Sequence, residues 1–174
     1  ELWQDAHKKS FTVAKAMRQD ILKDIRSALE KALTEGKTFR EFSKELKPTL
    51  QKKGWWGEQI VVDTEGVAEK VQLGSMYRLK TIYSVNMQTA YQTGRYKTQI
   101  ENKENRPYWQ YVAVLDANTR PEHAQLHDLV FPCDDAFWTA FYPPNGWRCR
   151  CRVRALSDSY VKKHNLTIDS SNNR

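Results

Sequence analysis

The chain has 174 residues, 40% of them apolar and 28% charged, with six Trp, eight Tyr, six Phe and a formal net charge of +7. That is enough apolar mass for one moderate domain, or for a helical half joined to a smaller unit, and no apolar run reaches the roughly 18–20 residues of a membrane span. Three cysteines, an odd number, argue against a closed disulfide framework and suit a reducing compartment, with the thiols free, buried or on a metal. The basic excess lies in the first 106 residues, a field that favours an acidic partner such as nucleic acid without identifying one. The chain opens on Glu1 rather than Met, as expected of a trimmed piece of a longer protein.

From Phe11 to Leu33, Ala14, Met17, Ile21, Ile25, Ala28 and Ala32 recur every three or four residues, the one-face pattern of an amphipathic helix. The helix should end near Glu35-Gly36, where glycine takes the left-handed C-cap. Thr38-Phe39-Arg40-Glu41 then reads as a capping box opening a shorter helix with Phe39, Phe42 and Leu46 inside. Pro48 argues against its continuation. In "GWWGEQ", Trp55 and Trp56 stand between glycines; they either plug a gap between helices or form a partner-docking patch. Residues 60–74 read as a loop with a short strand at its start. Met76 to about Lys103 is the longest helical stretch, weakened by Gly94 unless another backbone passes close by.

Arg106-Pro107 marks a change of composition. "YWQYVAVLD" alternates and predicts a strand from Tyr108 to Leu115, followed by a turn and a short helix from Pro121. An aromatic loop with tight-turn chemistry at Pro-Pro-Asn-Gly leads to a second strand, Arg148 to Arg154. The fold class is α+β: a mainly helical N-terminal part, then a small α+β C-terminal unit with a short antiparallel sheet. Boundaries are expected at 1–106, 107–158 and a polar tail at 159–174.

In the second strand, Cys149, Cys151 and Val153 would share one face and Arg148, Arg150, Arg152 and Arg154 the other. A plain half-buried strand satisfies this pattern, since free cysteine is commonly buried. A zinc site is a second alternative: His123 and His127 lie four apart, and with Cys149 and Cys151 they make a Cys2His2 set, with Cys133 in reserve. A third is a small nuclease-like enzyme using His123 or His127 with Asp116, Asp134 or Asp135, although no nucleophile elbow, phosphate loop or HExxH motif accompanies them. The arginine face could follow a phosphate backbone as a nucleic-acid-binding module, meet an acidic strip on a partner, or neutralise nearby acids.

"RPYWQYVAVLDANTRPEHAQLHDLVF" followed by "DDAFWTAFYPPNGWRCRCRVRALS" closely resembles the phage Mu F-like minor head proteins, also called phage head morphogenesis proteins. The resemblance reaches upstream through "GWWG" and "RLKTIYSVNMQTAYQTGRY" to "FTVAKAM", roughly Trp3 to Ser157. It implies a non-enzymatic structural role in head morphogenesis of a Mu-like phage or prophage. The implied partners are portal and capsid proteins and, through packaging or delivery, phage DNA, with no membrane. The implied location is the virion head interior, and the host bacterial cytoplasm during assembly. Other branches of the family place Thr-Cys-x-x-Cys where this chain has Thr119 to His123, and share the Cys-x-Cys. The resemblance therefore implies a zinc site in which Cys149 and Cys151 match directly, His123 replaces one thiol and Arg120 the other. A protonated arginine cannot ligate zinc, which leaves the fourth position to His127 or Cys133. Without metal, the same shell would be a hydrogen-bonded and apolar staple between helix and strand.

Overall fold

The computed structural model describes residues 18–62 and 68–171, with the side chains of residues 61 and 62 left aside. They form two compact units that divide between Met87 and Gln88. The part of the predicted first helix before Arg18, including "FTVAKAM", lies outside the described residues.

In the first unit, α1 (Gln19–Glu35) buries Ile21, Ile25 and Ala32 of the expected face, with Leu29 buried where the spacing predicts Ala28 and Ala28 only partly so, and ends on Gly36 at φ 68° as its composition requires. Helix α2 (Phe39–Lys52) opens with the capping box: the Thr38 N–H donates to Glu41 Oε2 at 2.8 Å, and the Glu41 N–H to Thr38 Oγ1 at 3.4 Å. Contrary to expectation, α2 runs through Pro48 to Lys52. A helix-interior proline costs about 3 kcal/mol, but Leu46 and Leu50 flank it on the buried face, each worth about 1.5–3 kcal/mol. Trp55, Leu79 and Ile82 complete this core, with Trp56, Phe39 and Tyr83 packed partly buried against it.

Residues Glu58–Val62 (β1) and Ala68–Gln72 (β2) pair as an antiparallel hairpin, Ile60 opposite Lys70, where the sequence suggested a loop with one strand. Strand β2 is exposed at all but Val71, so no burial pattern marks it in the sequence. The hairpin's base is closed by Gly57 N–H to Gly74 O (2.8 Å) and Leu73 N–H to Gly57 O (2.9 Å). There Gly74 approaches the tryptophan loop so closely that a Cβ would lie 2.4 Å from the Trp55 carbonyl oxygen.

Helix α3 (Met76–Glu101) contributes Leu79 and Ile82 to the first unit and its residues from Gln88 on to the second. The division thus falls inside the helix rather than at residue 106, because its C-terminal half is bonded to a strand. That strand is β5 (Arg152–Leu156), in a three-stranded antiparallel sheet ordered β4-β3-β5 with β3 (Tyr108–Val112) central and β4 (Val130–Pro132) opposite. Gln92 Nε2 donates to the Cys151 carbonyl (3.1 Å), Arg95 Nη2 and Gln99 Nε2 to that of Val153 (2.7 and 3.0 Å), and Arg106 Nη1 to that of Ala155 (3.2 Å). Side chains on helical spacing therefore cover an edge that would otherwise invite another strand.

Trp109, Tyr111, Phe131, Phe137, Trp138 and Tyr142 are buried, and Trp109 packs edge-on against Trp138 and Tyr142 with ring centroids 5.5 and 5.6 Å apart. The aromatic loop contains a short helix, α5 (Phe137–Phe141), which follows α4 (Pro121–Gln125) in the chain. The stretch expected as a polar tail carries α6 (Asp158–Lys163), capped by Ser157 and buried at Val161. It then folds back on β4, with the Asp169 N–H donating to Val130 O at 2.7 Å.

Gly74→Ala is expected to lower stability by about 1–3 kcal/mol, through its clash with the Trp55 backbone. Gly94→Ala, whose Cβ would meet nothing within 4 Å, should raise it by about 0.5–1 kcal/mol. Urea unfolding of both variants checks this pair, and shifts of the same sign would contradict the packing described.

Candidate metal centre

Strand β3 stops at Val112 although alternation continues to Leu115, because the Ala113 N–H leaves the ladder and donates to His127 Nδ1 at 3.1 Å. The turn that follows is built by Asp116, whose Oδ1 accepts the Asn118 N–H at 3.0 Å, and by Thr119, whose hydroxyl bonds the Val114 carbonyl. It delivers the chain to Arg120, the N-cap of α4, with Pro121 in the first turn. His123 is buried on α4.

On the other side, the predicted second strand is shorter than expected. Its ladder begins at Arg152; Arg148 takes φ 58°, and the Cys149 N–H turns back to Gly146 O. The alternation in burial nevertheless holds, with Cys149, Cys151 and Val153 inside and Arg148, Arg150, Arg152 and Arg154 exposed. His123 Nδ1 lies 3.8 Å from Cys149 Sγ and 3.6 Å from Cys151 Sγ. All three donor atoms lie within 4.8 Å of one another and all three residues are buried.

The environment of the thiols is asymmetric. Their mutual hydrogen bond holds Cys149 below the ordinary thiol range, while that contact and burial hold Cys151 above it. The pair releases one proton readily and the second with difficulty. Burial pushes the neighbouring Tyr111 hydroxyl up, and it receives the Asn145 side-chain N–H at 3.2 Å. A cavity of about 20 Å³ lies among His123, Cys149, Cys151, Thr119 and Arg120, room for one ion or one water. Two soft sulfur donors and an imidazole are the donor set that zinc prefers, so residues and space fit such an ion.

The other sequence candidates go elsewhere. Helix α4 ends at Gln125, so His127 does not share a face with His123; its Nδ1 accepts from Ala113 and its Nε2 lies 3.4 Å from Asp128 Oδ2. Cys133, half-buried, is outside the cluster and its N–H bonds Pro107 O. Arg150 makes a bidentate pair with Asp116 at 2.6 and 2.7 Å, and Arg154 stacks over the Tyr160 ring at 4.5 Å. Arg148 and Arg152 are exposed. Trp55 lies in the first unit's core, and Trp56 is partly buried under Lys47. Residue spacing alone missed Tyr111, Asn145 and Gln92, which meet the cysteine segment only through sheet register and helix packing. The "DANT" turn, with Asp two before Asn, was the one local signal for the Asp116 anchor.

Arg150 holds the Asp116 carboxyl well below the usual carboxylate range. A carboxyl depressed in the folded state stabilises fully above its unfolded value, near pH 4, and loses that contribution as pH falls through the folded value. Asp116→Asn should therefore melt below the wild type at pH 7, with the gap shrinking on acidification toward about pH 3. Thermal melts across that range check it; a pH-independent gap would mean the charge of Asp116 is not what matters.

Residues 23–154 match the family described as phage Mu protein F-like protein. The chain is 57% identical over 164 residues to protein F of Escherichia phage Mu, whose name assigns it to capsid assembly, covering 94% of this chain and 37% of that protein. It is 47% identical over 171 residues to the F protein of the Mu-like prophage FluMu of Haemophilus influenzae, covering 98% of this chain and 40% of that one. The chain thus spans about two fifths of the length of these curated relatives. No solved structure matches it.

Proposed function

The chain belongs to the phage Mu F-like protein family, and from that membership we propose that it is a structural, non-catalytic component of phage head assembly, working with portal and capsid proteins inside the head. The observation that carries this is the 57% identity over 94% of the chain to a protein named for capsid assembly. On this reading the protein is made in the host bacterial cytoplasm and is retained in the virion head, beside packaged DNA. Its net charge of +7 suits that surrounding. No described helix is long and apolar enough to cross a membrane.

The arrangement of the side chains favours a scaffold over the two alternatives. A nuclease would need His123 within reach of a phosphodiester, and it is buried against two thiols. A nucleic-acid strand would need its guanidinium groups uncommitted, and Arg150 is paired to Asp116 while Arg154 lies on Tyr160. His123, Cys149 and Cys151 would hold a zinc ion as a cross-link between α4 and the segment entering β5. When bound, such an ion supplies cohesion to the second unit beyond that of its aromatic core, since metal binding to a folded site is folding free energy.

Density-purified particles from the induced source strain are expected to yield peptides of this chain at low copy in DNA-filled heads. Their confinement to the soluble fraction would overturn a virion role. Metal analysis of the purified chain should find about one zinc per molecule. Chelation should lower the melting temperature of the second unit, while Cys149→Ser and Cys151→Ser abolish metal and spare the first. Unchanged melting after chelation and in both variants would remove the metal from the scheme.

A further inference from the structure

Three buried donors make an incomplete coordination set. Structural zinc is almost always four-coordinate, and a site with three protein ligands leaves a position to an outside molecule. Among the described residues, no fourth histidine, cysteine or carboxylate joins His123, Cys149 and Cys151. His127 is engaged by the Ala113 N–H, Cys133 sits outside the cluster and Asp116 is held by Arg150.

What stands at the remaining side is Arg120. It precedes His123 by three residues at the N-cap of α4, so the two lie on neighbouring positions of one helix face. Both line the cavity of about 20 Å³ with the two cysteines. Arg120 Nη2 donates to the Trp147 carbonyl at 2.8 Å, and its Nη1 lies 3.9 Å from where a Cβ on Gly146 would sit. The guanidinium thus spans from α4 to the turn that carries the cysteines. It has five N–H donors and no lone pair, so it lines that side without ligating, and it can hold an anion. Arg148 and Arg150 line the same cavity, Arg150 paired with Asp116.

Resting on the metal reading above, we propose that Arg120 is a positioning residue that keeps the ion's fourth coordination position open to a small exogenous anion. Two thiolates and a neutral imidazole already balance a divalent ion. The Arg120 guanidinium beside the cavity therefore adds attraction for a negative fourth ligand over water. The cavity has room for little beyond the ion itself, so the anion approaches from the arginine side.

The test is cobalt substitution of the 174-residue chain, with azide as the probe ligand. Cobalt should bind with thiolate-to-metal charge-transfer absorption, and azide should shift the d–d bands saturably. Arg120→Ala should keep cobalt but bind azide about 10-fold or more weakly. Arg120→Gln, which keeps a donor for the Trp147 carbonyl and removes the charge, should show the same loss if the alanine variant does not fold. Arg120→Cys should add a further thiolate charge-transfer contribution and make the spectrum indifferent to azide. A wild-type chain that binds neither cobalt nor zinc removes the metal reading and this inference together. Cobalt binding with no response to azide leaves the metal reading standing and overturns the open position. Azide affinity unchanged in both Arg120→Ala and Arg120→Gln overturns the role of Arg120.

Discussion

Outward-facing carbonyls on the edge strand β5 have to be paired, and α3 pairs them with side chains. Gln92, Arg95 and Gln99 meet the carbonyls of Cys151 and Val153, and Arg106, just beyond the helix, meets that of Ala155. A buried carbonyl left without a partner costs about 1–3 kcal/mol, so this row fixes helix against strand far more sharply than apolar contact would. Gln99 is itself fixed, its Oε1 accepting the buried Tyr142 hydroxyl at 2.8 Å. The aromatic cluster around Trp109 and the polar row along β5 are thus one construction.

The position of the metal-binding residues follows from that row. Because Gln92 holds the Cys151 carbonyl, the segment before β5 enters the unit in one register with both thiols facing inward. The same alternation turns Arg150 outward, where Asp116 meets it from the turn after β3. Two polar tethers, Arg150 to Asp116 and Arg120 to the Trp147 carbonyl, bind the cysteine segment to the segment carrying His123. The thiol–imidazole cluster lies between them. Such cross-links add to the cohesion that the aromatic core around Trp109 already supplies.

Much of the fold could be read locally. The α1 face, its glycine end, the Thr38–Glu41 capping box, the start of α4 at Pro121 and the in-out burial from Arg148 to Arg154 follow from side-chain spacing and cap chemistry. Three departures share a cause, which is that tertiary contacts outweighed a local signal. Pro48 did not end α2, since Leu46 and Leu50 are buried on either side of it. Alternation to Leu115 did not extend β3, since His127 took the Ala113 N–H. The stretch from residue 159 expected as a polar tail carries part of a helix in the described residues, since Val161 is buried and the Asp169 N–H pairs with the Val130 carbonyl. Of the candidate ligands, His123, Cys149 and Cys151 converge while His127 does not, because a helix that ends at Gln125 breaks the four-residue spacing that made it a candidate.

By itself, the sequence determined the three long helices, the strands at Tyr108 and Arg152, the alternation of buried and exposed sides from Arg148 to Arg154, the α+β class and the family, because periodicity, capping and motif spacing act over a few residues. Only the tertiary structure decided that α3 serves both units, that Trp55 closes a core, and which donors form the cluster. These depend on register and on packing between segments far apart in the chain. Cys149 and Cys151 stand 26 and 28 positions from His123, and Gln92 stands 59 from Cys151. No local pattern measures such distances; they are set when the carbonyls of β5 find their partners on α3.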